Sequence, residues 1–388
     1  MTPPILDVFK PLLEITCCPY TKTPLVLMTL PELETSVAEP QRSSIPNGTI
    51  GAMVSTVSSN AYPIIGQVIS FLEQDTLRLS ANADSLLISE PSPVASIKLD
   101  VKKWYDDFGW KQTGAGPYGD TSLFSQVGNS AHGFYEMNSH LSFLDRFMGG
   151  EFFLDAASGA IPHPEYLAYT WFYKYRVCVD ISLTALQEAA SKVGSKGFYC
   201  MADICRLPFR DNVFDGVVSG YTIQHVPESS QYQAVAELHR VLAPKKYCCI
   251  MTGLGHGFMR STLRKAIRLI GRIIRAANRK SQASRKTLSP AVPVSLYCRT
   301  QDLAWWRKTL SEMDCEFSLK ALRLLSKDEF ERWFDNSLPM AKLLRMVETS
   351  MPRLLARYCQ YGLMELSKKA EHRNHHAISR GCHKCDIG

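Results

Sequence analysis

The chain is predicted to be an α/β protein: a doubly wound domain preceded by a smaller N-terminal module. Three observations lead there. From Glu151 onward, short apolar runs alternate with amphipathic stretches of helical period. Three of those runs end in an aspartate, Asp155, Asp180 and Asp203. Residues 1 to about 75 differ in composition, with a Ser/Thr/Pro/Gly-rich stretch at 31–60 between two apolar blocks. Strands alternating with amphipathic helices imply a parallel sheet with right-handed crossovers, whose ligand lies at the strands' carboxyl ends.

The elements follow in order. "LLEITCCPYTKTPLVL" predicts a short helix, a turn and a strand; "NAYPIIGQVISFL" is an apolar strand-like run broken by Pro63 and Gly66. Residues 76–150 read as an aromatic-rich lid or linker that ends in a helix. There Phe134, Met137, Leu141, Leu144 and Phe147 recur at spacings of three and four and predict an apolar face. The main domain, 151–368, opens with five strands: "EFFLDAA", "YRVCVDIS", "GFYCMADI", "FDGVVSGYT" and "YCCIMTG". Between them, "SLTALQEAASKV" and "SQYQAVAELHRVL" have helical spacing, the latter with Val235, Leu238, Val241 and Leu242. After a basic helical insertion at 256–290 come a return segment and helix, "SLYCRTQDLAWWRKTLSEM", and a sixth strand, "CEFSLKALRLL". A helical insertion at 327–357 separates it from a seventh strand, "CQYGLMELSK". The polar, His-rich tail, 369–388, is expected to be flexible.

Composition narrows the function. With 45% hydrophobic and 21% charged residues the 388-residue chain has the balance of a soluble globular protein. No apolar run has the roughly 18 residues of a membrane span, and "MTPPILDVFKPLLEI" lacks the basic start of a signal peptide, so a cytoplasmic or peripheral protein is expected. The twelve cysteines include adjacent pairs, Cys17/Cys18 and Cys248/Cys249, and read as reduced thiols. "CHKC" at Cys382–Cys385 is half a metal site with no second half, so no metal is expected. The net charge of +7 belongs to one segment: ten of the 44 Lys/Arg fall between His256 and Pro290, which has no acidic residue. The other 34 are outnumbered by 37 acids, which argues against a nucleic-acid partner for the whole surface. Within that segment, 258–280 sets Met259, Leu263, Ile267, Ile270 and Ile274 on one side of a helical wheel and arginines on another. This is the pattern of a helix on an anionic membrane surface, and equally of a packed helix with a solvated basic face.

The carboxylates suggest the ligand. An acid ending the second strand can accept from both hydroxyls of a ribose, and one after the third can accept from an adenine amine. For proton removal the local candidate is His225 in "SGYTIQHVPE", just past the fourth strand, since histidine titrates near neutrality. Tyr221, His163 and Tyr166 are further candidates on the same rim, for substrate contact.

These runs also carry resemblances. From Leu154 to Gly253 the chain resembles the class I S-adenosylmethionine-dependent methyltransferases, especially the quinone-biosynthesis type. "FFLDAASGA" stands for their glycine-rich first loop, "VCVDIS" for the acidic ribose loop, "ADICRLPFRDNVFDGVVS" for the segment into strand four, and "AVAELHRVLAPKKYCCI" for the approach to strand five. The resemblance implies a seven-stranded Rossmann-like sheet, S-adenosylmethionine as cofactor and no metal. It assigns Asp155, Ala157 and Gly159 to the methionine part, and Asp180 to the ribose with Ile181 against adenine. Asp203 and Ile204 fall to the adenine edge and Gly220 to the amino end. Ala157 departs from the family's glycine, and "IPHPEY" from its helix start. The N-terminal blocks resemble the small zinc-ribbon-like domain that activates tRNA methyltransferases; with only Cys17 and Cys18 there, a metal-free form is expected. The expectation is a biosynthetic methyltransferase acting on a small-molecule or lipid-linked acceptor, at oxygen or nitrogen. The alternatives are a catalytically silent scaffold, suggested by Ala157, and an RNA or protein methyltransferase. The latter is opposed by "SGYTIQH" where an Asn/Asp-Pro-Pro-Tyr motif would stand.

Overall fold

The computed structural model describes residues 4–79, 92–112, 117–124, 130–255, 296–369 and a few positions between 264 and 272. Five strands come from the N-terminal segment: β1 (Leu25–Thr29), β2 (Thr49–Ser55), β3 (Asn60–Ile65), β4 (Val68–Ser70) and β5 (Leu77–Arg78). Seven follow: β6 (Gly150–Ala156), β7 (Tyr173–Asp180), β8 (Gly197–Met201), β9 (Phe214–Gly220), β10 (Leu242–Gly253), β11 (Cys315–Arg323) and β12 (Tyr361–Lys368). All belong to one mixed sheet in the order β1-β2-β3-β4-β8-β7-β6-β9-β10-β12-β11, with β5 on β3.

The pairs β8–β7, β7–β6, β6–β9 and β9–β10 are parallel, whereas β12 runs antiparallel between β10 and β11. The chain winds outward from β6 to β8, then crosses to β9 on the other flank. That reversal opens a crevice at the carboxyl ends of β6 and β9, where ligands of such sheets lie. The parallel strands are buried on both faces, and Cys178, Cys200, Cys248 and Cys249 serve in them as small apolar side chains with no exposed surface.

Two α-helices pack on these strands as their spacing predicts. Leu183–Val193 starts where the Ser182 side chain accepts the Ala185 N–H, and it buries Ala185, Leu186 and Ala189. Gln231–Val241 buries Ala234, Val235, Leu238 and Val241. Between β6 and β7 the crossover is only a 3₁₀ turn, Pro164–Thr170. A residue before proline is steered away from helical backbone, so His163 is extended (φ −113°, ψ 125°) and the turn begins only at Pro164.

The N-terminal segment, expected as a separate module, continues the central sheet. β4 pairs in parallel with β8, Val68 opposite Tyr199. The Cys17 N–H donates to the Pro208 carbonyl at 3.0 Å, and the Lys22 ammonium reaches the Leu207 carbonyl at 3.1 Å. Cys17 and Cys18 are buried, the latter with its sulfur 3.1 Å from the Tyr62 hydroxyl. Among the described residues no group of three or more His, Cys, Asp and Glu side chains is placed to hold a metal.

One predicted face is rotated. The helix Ala131–His140 buries His132, Tyr135, Glu136, Ser139 and His140, while Met137 is exposed. Ala131 and Tyr135 join the main core, and Glu136 reaches the crevice. The stretch 327–357 forms helices Lys327–Phe334, Leu338–Ser350 and Pro352–Leu355. Most of the predicted helix at 258–280, the CHKC motif and the tail beyond Lys369 lie outside the described residues. The positions that are described do not leave all the basic side chains free: Arg264 is ion-paired to Glu329 and lies over the Trp333 ring at 6.0 Å. No helix among the described residues is long and apolar enough to cross a membrane.

Candidate active site

The crevice is a cavity of about 370 Å³, and all twelve residues singled out in the sequence line it. At one end sits the loop after β6. Ala157, Gly159 and Ile161 all adopt left-handed φ, at 60°, 53° and 48°. The alternating left-handed path of a glycine-rich turn is thus retained although two of its three positions carry side chains. For Ile161 this conformation is rare, because its branched Cβ crowds the carbonyl. Only Gly159 could not be replaced on spatial grounds as well: a Cβ there would stand 2.4 Å from the Trp110 ring.

The three strand-end aspartates occupy different environments. Asp155 is ion-paired to the buried Arg176, which also donates to the Tyr166 carbonyl at 2.9 Å. Asp180 accepts the Gly159 and Ser182 N–H groups, each at 2.9 Å. Burial raises its carboxyl to about 6 despite those bonds. A carboxylate has about four acceptor sites, so two remain for a vicinal diol. Asp203 accepts the Cys205 N–H at 2.9 Å and is bridged at 2.5 Å by Lys98 from the helix Pro93–Trp104. That helix and its continuation bring Val101, Trp104, Tyr105 and Trp110 over the cavity. Stacked aromatic walls, with carboxylate acceptors at two strand ends, fit the chemistry of an adenosine group.

His225 lies farther along. Its Nδ1 is 2.7 Å from the Tyr297 carbonyl, so Nδ1 carries the proton and Nε2 is the acceptor, 3.3 Å from the Gln224 amide. Burial lowers its pKa, which keeps the ring neutral at pH 7.

The opposite end holds a buried polar cluster around Tyr221, in which sequence reasoning missed Arg323, Glu136 and His140. Arg323, at the end of β11, donates to Glu136 at 2.8 Å and to the Tyr221 hydroxyl at 2.9 Å, and lies over the Tyr361 ring at 4.5 Å. Tyr221 stands at φ 55°, and its hydroxyl is 3.0 Å from His140 Nε2. Because Arg323 can only donate, the phenol proton points to His140. Burial lowers His140 to about 4, leaving it neutral, with Nδ1 turned toward Glu165 at 3.6 Å. The Tyr221 hydroxyl is thus held between a donor, Arg323, and an acceptor, His140. Burial raises Glu136, but Arg323 outweighs it and holds the carboxyl at about 2. Asp120 is raised to about 7 by burial and by Glu136. His163 and Tyr166 line this end too.

Residues 154–250, which hold the loop after β6 and the three strand-end aspartates, match the family model described as a methyltransferase domain. In particular, 104 residues are 34% identical to a ubiquinone/menaquinone biosynthesis C-methyltransferase of Desulfotalea psychrophila. The match covers 25% of this chain and 42% of that enzyme, so the chain spans under half the length of its curated relative. Two solved structures are similar in path. A Haemonchus contortus phosphoethanolamine N-methyltransferase, solved with S-adenosylhomocysteine, is 19% identical with a TM-score of 0.42, over 70% of this chain and 60% of that one. The Bacillus subtilis YcgJ protein is 15% identical with a TM-score of 0.38, over 60% of this chain and 99% of that one.

Proposed function

We propose that the chain transfers a methyl group from S-adenosylmethionine to an oxygen or nitrogen of a small-molecule or lipid-linked acceptor. The observation that carries this reading is one cavity joining the left-handed loop and strand-end carboxylates to His225 and a buried polar cluster. When bound, S-adenosylmethionine supplies an electrophilic methyl on its sulfonium. Asp180 holds the ribose through its two open acceptor sites with Ile181 against adenine, and Asp203 with Ile204 takes the adenine edge. Asp155, Ala157, Gly159 and Gly220 border the methionine part. At the acceptor end His163, Tyr166 and Tyr221 orient the substrate, and closure by Trp104 and Trp110 excludes water. His225 Nε2 removes the acceptor's proton in this reading. A second reading, favoured by the Arg323–Tyr221–His140 contacts, gives that step to Tyr221.

The test is calorimetric titration with S-adenosylmethionine. Asp180→Ala is expected to weaken binding by about tenfold or more, corresponding to the roughly 1.5–3 kcal/mol of hydrogen bonds to a charged group. Unchanged affinity would overturn the ribose assignment. Absence of any saturable binding by the folded wild type would favour a silent scaffold.

A further inference from the structure

The helices between β11 and β12 leave an apolar surface uncovered. On Leu338–Ser350 the inward side, Ala341, Leu344, Arg345 and Glu348, is buried. Its orientation is fixed by Glu348, which accepts the Leu324 N–H and an Arg345 N–H at 2.7 Å each and bonds the Tyr135 hydroxyl. Arg345 also donates to the Leu322 carbonyl at 2.7 Å. The helix therefore cannot roll without breaking a buried ionic network. Its opposite side presents Leu343 and Met346, 46% and 58% exposed, and the following turn adds Met351 and Leu354, 47% and 56% exposed. Single exposed apolar residues are ordinary, but such a run on a helix held this rigidly is not.

Along the segment itself the exposed charges have one sign. From Leu338 to Arg357 the exposed charged residues are Lys342, Arg353 and Arg357, and the sole acid, Glu348, is buried. Apolar side chains flanked by cations complement an anionic lipid surface, where each contributes: the former by insertion, the latter by attraction to headgroups. The position also suits a substrate drawn from such a surface. The insertion leaves the core just after Arg323 and returns just before Tyr361, and both of those line the acceptor end of the cavity.

We propose that the outer face of Leu338–Leu355 docks on an anionic membrane and brings the acceptor end of the cavity to it. The lipid-linked form of the acceptor rests on the function proposed above; docking itself does not. The full chain is sedimented with vesicles of phosphatidylcholine alone and of phosphatidylcholine with phosphatidylserine. The wild type is expected to bind the anionic vesicles and to release them as salt is raised. Leu343→Glu/Met346→Glu is expected to lower that binding by roughly tenfold or more, and Lys342→Glu/Arg353→Glu to abolish the preference for anionic vesicles. These side chains are exposed, so melting temperature and S-adenosylmethionine affinity should stay at wild-type values, which separates lost docking from lost folding or lost cofactor binding. Wild-type binding that both variants retain, or none by the wild type, overturns the proposal. So does a wild-type dimer that Leu343→Glu/Met346→Glu dissociates without changing vesicle binding, which would assign the face to a second copy.

Discussion

Asp120 illustrates how one side chain ties the cavity to stability. It projects into the acceptor end from the short helix Gly119–Phe124, and burial, with Glu136 nearby, raises its pKa to about 7. In the unfolded chain the same carboxyl titrates near 3.9. A folded value above the unfolded one means the native state holds its proton more tightly, so this stabilising contribution is complete below about pH 4 and lost as pH rises through 7. Asp120→Asn removes the penalty. Chemical denaturation at pH 8 is expected to show the variant more stable by on the order of 4 kcal/mol, with the difference vanishing near pH 4. A difference independent of pH would mean that Asp120 does not titrate in this way. The strand-end aspartates were legible in the sequence because an apolar run ending in small residues fixes both strand and turn. Asp120 was not, since its surroundings come from elements distant in the chain.

Among the elements, the helix Pro93–Trp104 is the cover whose latch can be released. It is tied to the adenine side by the ion pair of Lys98 with Asp203, in which both side chains are about 30% exposed. A partly exposed pair of this kind contributes roughly 0.2–1 kcal/mol. If Asp203 must exchange Lys98 for an adenine amine, Lys98→Met, which keeps the aliphatic stem, is expected to tighten S-adenosylmethionine binding about two- to fivefold in calorimetry. Weaker binding would assign Lys98 to the ligand instead. The helix Ala131–His140 shows where sequence reasoning fell short. Phe134, Met137 and Leu141 have helical spacing, but the side turned inward carries Glu136 and His140, because these meet buried polar partners, Arg323 and the Tyr221 hydroxyl, that come from distant parts of the chain. Arg323 was hidden similarly, as one of four polar residues, with Glu316, Ser318 and Lys320, in the strand "CEFSLKALRLL".

For the molecule as a whole, the winding of β6 to β12 follows from apolar runs, crossover helices and turn residues that the sequence displays. The joining of β4 to β8 does not, because pairing between distant edges leaves no local pattern. The resulting core is continuous: Leu6, Leu12, Met53 and Tyr62 pack in one cluster with Phe198, Cys200 and Phe209. Unfolding followed by a probe near Tyr62 and by one near Trp306 should therefore give coincident transitions. Two separated transitions would show that the N-terminal strands are an independent unit. Removing residues 4–79 is expected to yield an aggregating protein, since β8 would then present an open edge.

That edge has a partner belonging to the same chain, and this changes how the fold responds to dilution. A covering strand supplied by another molecule departs once its concentration falls below the dissociation constant. One that is covalently attached meets β8 at an effective concentration on the order of millimolar, however few molecules are present. The sheet stays capped at the lowest abundance at which the protein is made, with no second gene product to be kept in step with it.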